Sequence, residues 1–99
     1  MTRFHVHHIG SDGGLAVDLQ SNLLDGYHTR GVSPLIPAGE LAKVVLRLNP
    51  HFTIDGEAFV MLTEFLTTVP LSDIGPSIAD LSTRADEITA AKDFLFQGF

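Results

Sequence analysis

The sequence has no cysteine and no tryptophan, a single tyrosine, and six lysines and arginines against twelve aspartates and glutamates. Without cysteine there is no disulfide framework and no thiolate metal site, a composition compatible with a reducing compartment. A formal charge of −6 with few, scattered cations removes the basic surface that phosphate-backbone binding requires, so nucleic acid is not expected as a direct ligand. No apolar run approaches the roughly 18 residues of a membrane span, and Met1-Thr2-Arg3-Phe4-His5 does not read as a signal peptide. A soluble, cytoplasmic protein without membrane partners is expected.

What is present fits one domain over residues 1–99, because 44% hydrophobic and 18% charged residues can build a core and argue against disorder. Arg3 to Ile9 alternates, with Phe4, Val6 and His8 on one face and His5, His7 and Ile9 on the other; Leu15, Val17 and Leu19 resume the alternation after Gly10-Ser11-Asp12-Gly13-Gly14. This predicts an opening antiparallel hairpin. Val32 to Ile36 is strand-like, with Pro34 placing it at an edge or a bulge and Pro37 ending it. Leu41 to Leu48 matches both helix and strand templates; its β-branched residues and Asn49-Pro50 tilt it toward strand. Phe52-Thr53-Ile54, Asp55-Gly56 and Glu57 to Leu62 form a second hairpin, since Asp-Gly suits a two-residue I′ turn. Thr63 to Val69 continues extended, and Leu71 to Pro76 reads as a loop.

A helix is predicted from about Ser82, at the N-cap position, to Phe96, with Asp86 and Glu87 at its positive end and Gly98 as the stop. Leu81, Ala85, Ile88, Ala91, Leu95 and Phe96 fall on one broad side, while Phe94, Asp93 and Gln97 lie off it. Strands followed by one helix describe an α+β domain or a small barrel with an appended helix.

Candidate chemistry is thin. His5, His7 and His8 could place two imidazoles on one strand face, but nothing completes a tetrahedral zinc set, and exposed strand histidines are the expectation. No serine is marked as activated, and Gly13-Gly14 lacks the lysine of a phosphate loop. Leu23, Leu24, Phe94 and Phe99 are apolar groups in a loop, off the helix stripe or at the terminus, and are either core or interface. The residues by themselves indicate a binding protein without catalysis, cofactor or metal.

Five stretches in order carry a resemblance: Val17-Asp18-Leu19-Gln20-Ser21, Pro34-Leu35-Ile36-Pro37, Arg47-Leu48-Asn49-Pro50, Val69-Pro70-Leu71-Ser72-Asp73-Ile74-Gly75 and Ile78-Ala79-Asp80-Leu81-Ser82-Thr83-Arg84. Together they resemble the CcdB toxins over essentially the whole chain. The resemblance implies a mainly β fold, an SH3-like barrel with a small additional antiparallel sheet and one C-terminal α-helix, forming a homodimer. It implies a toxin that binds the A subunit of DNA gyrase and traps the cleaved DNA complex. A cognate CcdA-like antitoxin would neutralise it, and DNA would be met only through that antitoxin.

By position, the gyrase-binding residues would be Leu23, Leu24, Asp93, Phe96, Gln97, Gly98 and Phe99. The best-known plasmid member ends in Trp-Gly-Ile where this chain has Gln97-Gly98-Phe99, so a cation–π contact of roughly 0.5 to 2 kcal/mol gives way to hydrogen bonding at that tip. The alternatives are an endoribonuclease like the MazF toxins, which share the barrel, or a non-toxic antitoxin-binding relative.

Overall fold

The computed structural model describes residues 2–10, 13–20, 28–40, 43–45 and 47–98. The chain runs β1 (His5–Ile9), β2 (Gly14–Asp18), β3 (Thr29–Pro37), β4 (His51–Ile54), β5 (Glu57–Met61), β6 (Thr67–Pro70), β7 (Ile74–Asp80) and α1 (Ala85–Gln97). The strands form one curled antiparallel sheet in the order β4-β5-β3-β2-β1-β7, with β6 also bonded to β3. The fold is the expected one, mainly β with a single C-terminal helix.

Both predicted hairpins form. Val6 pairs with Val17 and His8 with Leu15, and Phe52 pairs with Phe59. Asp55 and Gly56 both take positive φ, 51° and 80°, the backbone a I′ turn demands and the reason Asp-Gly is favoured there.

β3 is the hub of the sheet, which removes the edge from the two placements expected for Pro34, an edge or a bulge. It bonds β2 along one side; on the other, Leu35 to Pro37 meet β5 and Thr29 to Val32 meet β6. Pro34 sits at the hand-over between those two partners. Its carbonyl accepts the Leu62 N–H at 2.8 Å, so its nitrogen faces the same gap and no ladder bond is lost. Ser33 Oγ donates to the Leu62 carbonyl at 2.8 Å and closes the gap from the neighbouring residue.

Three further expectations are corrected. Lys43 to Val45 has no regular structure and Arg47–Leu48 is a turn, not a strand; Leu41, Ala42 and Leu46 lie outside the described residues. Asn49 is the cause: its Oδ1 accepts the Val45 N–H at 3.1 Å, while the Leu48 and Asn49 N–H groups both donate to the Val45 carbonyl. The backbone groups of Val45 are thereby committed locally. Second, Thr63–Phe65 is a short 3-10 turn before β6.

Third, the stretch read as a loop over Leu71 to Pro76 is a 3-10 turn running into β7. Gly75 and Pro76 fall where the β1–β7 register shifts, between His7↔Ser77 and Ile9↔Ile74, so the strand absorbs them as a bulge. A Cβ on Gly75 would meet the His8 carbonyl at 3.3 Å, a spacing that suits glycine.

The core lies between the inner sheet face and α1: Val6, Val17, Leu35, Phe52, Ile54 and Met61 from the strands meet Leu81, Ile88 and Ala91. Phe96 departs from its expected place on the buried side. It is 68% exposed, because it stands 100° past Leu95 on the cylinder, beyond the edge of the stripe. The opposite sheet face buries a polar cluster. Asp18 and Arg30, 0% and 1% exposed, form an ion pair with Nε–H and Nη2–H donating to Oδ2 at 3.0 and 2.7 Å. Asp18 Oδ1 also accepts the Gln20 N–H at 2.9 Å.

Candidate functional site

The terminal turn of α1 is the surface to which the sequence points, and its entry and exit are both fixed by local bonding. Asp80 Oδ1 accepts the Ser82 N–H at 2.8 Å. Hydrogen bonds from Ser82, with a smaller contribution from the His5 charge, hold the Asp80 carboxyl below the usual range. The chain then makes a 3-10 turn, Ser82–Arg84, before α1 begins, so Ser82 is not the side-chain N-cap expected of it and Asp80 supplies the bond instead. Asp86 and Glu87 do occupy the first turn, where the helix dipole favours them. Arg84 Nη2 donates to Glu87 Oε2 at 2.7 Å, Arg84 Nε donates to Glu87 Oε1, and Nη2 reaches the His51 carbonyl at 3.1 Å. This bonding raises the Arg84 pKa and lowers that of Glu87.

At the far end Gly98 adopts φ 78° and its N–H closes on the Phe94 carbonyl at 2.9 Å, an αL cap that a Cβ would strain. Anchored through Ile88 and Ala91, the last turn leaves Asp93 half-buried and Phe96, Gln97 and Gly98 exposed. The structure thus brings Asp93, Phe96, Gln97 and Gly98 together on one helix end. Leu23, Leu24 and Phe99 lie outside the described residues. Phe94 is half-buried, with the Arg47 guanidinium 4.6 Å from its ring centroid. That stack was not foreseeable from sequence, nor was the 62% exposure of Phe65 on the 3-10 turn.

The histidines diverge. His5 Nδ1 meets Ser77 Oγ at 2.8 Å, His7 Nδ1 the Gly75 carbonyl at 2.8 Å, and His8 Nδ1 the Gly13 carbonyl at 3.2 Å. Among the described residues no group of three His, Asp or Glu could hold a metal ion. His7 corrects the expectation of exposed strand histidines. It is 6% exposed, its Nε2 has no hydrogen-bond partner among the described residues, and its ring ties β1 to the β7 bulge.

Ser77, His5 and Asp80 stand in a row, His5 Nε2 lying 3.6 Å from Asp80 Oδ2. The Ser77 hydroxyl also lies 3.4 Å from the Ala79 carbonyl, within its own strand. The row is a cross-strand tie.

A family model described as CcdB protein matches residues 3–98. Among solved structures, the fold is similar to that of the Mycobacterium tuberculosis toxin MazF-mt6, with a TM-score of 0.77 at 15% identity over 93% of this chain and 95% of that one. At that identity the likeness speaks for the fold. No helix among the described residues is long and apolar enough to cross a membrane.

Proposed function

This chain belongs to the CcdB family, whose members are toxins of toxin–antitoxin systems, and on that premise we propose that it acts as a homodimeric, non-catalytic toxin docking on the A subunit of DNA gyrase. The observation that carries the reading is the helix end. Phe96 is a large apolar side chain exposed on a turn whose backbone is fixed by core anchors on one side and the αL cap on the other. Preorganised aromatic anchors of this kind dominate protein interfaces. Asp93, Gln97 and Gly98 surround it, with Leu23, Leu24 and Phe99 completing the surface by family position. Bound there, the toxin would hold gyrase after DNA cleavage, with no bond made or broken by its own residues. A CcdA-like antitoxin would lift the block and bring the complex to DNA in the cytoplasm.

The likeness to a MazF toxin favours one competing reading, an endoribonuclease. That activity needs a clustered basic surface to follow a phosphate backbone, whereas the chain has six Lys and Arg in all, Arg30 among them buried against Asp18, and a total charge of −6. A supercoiling and cleavage-complex assay with the host's gyrase decides between the readings. Inhibition with trapped cleavage supports the gyrase reading. RNA cut by purified protein without gyrase favours the MazF-like one, and inactivity in both with retained antitoxin binding indicates a non-toxic relative.

A further inference from the structure

Beside the helix end, between the 47–51 segment and the flank of α1, lies a cleft of about 370 Å³ lined by Arg47, Pro50, His51, Arg84, Glu87 and Ala90, together with Asn49. Arg47 is exposed, and its guanidinium lies against Phe94 with no hydrogen bond or ion pair to any described residue. The stack orients a planar fork of N–H donors and leaves their edges unused. Arg84 is held through Nε and Nη2, which leaves Nη1 without a bond among the described residues. The His51 carbonyl is engaged, while its exposed imidazole has no hydrogen bond among the described residues. Glu87, the acid in the lining, is committed to Arg84, and Asn49 is spent on Met61, Glu64 and Val45. The cleft therefore combines donors oriented by stacking and ion pairing, a surplus of positive charge, and apolar walls from Pro50 and Ala90.

We propose that this cleft binds a carboxylate side chain, Asp or Glu, on an acidic segment of a partner protein. A guanidinium fork matches a carboxylate in bidentate geometry, and its stacked face loses little freedom on binding. The size suits one or two side chains, below the upper range of small-ligand sites. A polyanion such as RNA is the poorer fit, because its further phosphates would extend over a surface of net charge −6. The inference does not depend on which target the helix end meets.

The test is a displayed heptapeptide library selected on the wild-type protein and counter-selected on Arg47→Gln, followed by fluorescence anisotropy of the enriched peptides. Enrichment of Asp or Glu beside an apolar residue is expected. Affinity should fall about tenfold or more when that acid becomes its amide or when Arg47 becomes Gln, the loss of one charge-assisted pair. Arg47→Lys should restore part of it by keeping the charge without the fork. His51→Gln, at a second exposed position, should weaken binding by a smaller factor, and melting curves of all variants should overlay the wild type. Absence of acidic enrichment, equal binding by Arg47→Gln, or a ten-nucleotide RNA binding this cleft more tightly than the selected peptide would each overturn the proposal.

Discussion

Asp18→Ala isolates the buried ion pair. Asp18 accepts three hydrogen bonds: two from Arg30 and one from the Gln20 N–H. Both charged side chains are essentially excluded from solvent, so removal of the carboxylate leaves a buried guanidinium that keeps its bond to the Gln20 carbonyl at 3.3 Å but loses its counter-charge. Breaking a buried pair from one side costs about 3–5 kcal/mol, much of it the penalty on the stranded partner. For a domain of this size, whose whole stability is about 5–15 kcal/mol, the melting temperature should fall by at least about 12 °C. The urea midpoint, followed by circular dichroism, should drop by about 2 M at an ordinary slope. Asp18→Leu with Arg30→Met should recover most of the loss, since apolar replacement removes both desolvation penalties together. A single variant within about 1 kcal/mol of wild type, or a double variant no more stable than the single, would refute the reasoning.

Ile88→Ala, at a core position 1% exposed, should cost about 2–5 kcal/mol. Phe96→Ser should change stability by only about 0.5 kcal/mol yet abolish gyrase trapping; retained trapping would remove Phe96 from the interface. Gln97→Trp should tighten binding to a gyrase that carries an arginine opposite the tip by about 2- to 30-fold, the equivalent of one cation–π contact, and no gain in a titration would mean that this surface docks differently. Phe99→Ala should weaken growth arrest on induction, if the αL turn at Gly98 carries the ring toward the tip; unchanged toxicity sinks that expectation. Glu87 has its pKa lowered by the Arg84 hydrogen bonds. Its stabilising effect is therefore present above its usual value of 4.5 and lost as pH falls through the depressed one. Melting curves of wild type and Glu87→Gln should differ near neutrality and converge in acid, and a gap that widened toward acid would contradict the assignment.

The elements legible from sequence were those whose geometry is dictated within a few residues. Asp55-Gly56 determines its own turn through two positive φ values, and Gly98 ends its helix in the same way. What could not be read depended on partners distant in the chain. Gly75-Pro76 looks like loop punctuation until β1 lies alongside and the pair becomes a bulge. Val44 and Val45 favour a strand by propensity, but the Asn49 side chain takes the Val45 N–H first. Asp18 alternates as a solvent-facing residue would, and only Arg30, twelve positions on, explains its burial. At the site, helical spacing placed Asp93 and Gln97 off the core stripe, but it put Phe96 inside. One hundred degrees of rotation lies within the error of a stripe drawn without its sheet.

β1 is sealed along its outer edge by β7 alone, with Val6 opposite Ala79. During translation β1 can pair with β2 at once, but its outer edge must wait until β7 has been made, and an open edge is an invitation to aggregate. The domain cannot mature from its N-terminus forward; it closes when its last strand arrives, with the slow kinetics of sheets built from distant segments. The helix that follows is synthesised after it. A nascent chain has no finished helix end until Gly98 caps it, and one stopped before Ile74 leaves β1 with an open outer edge.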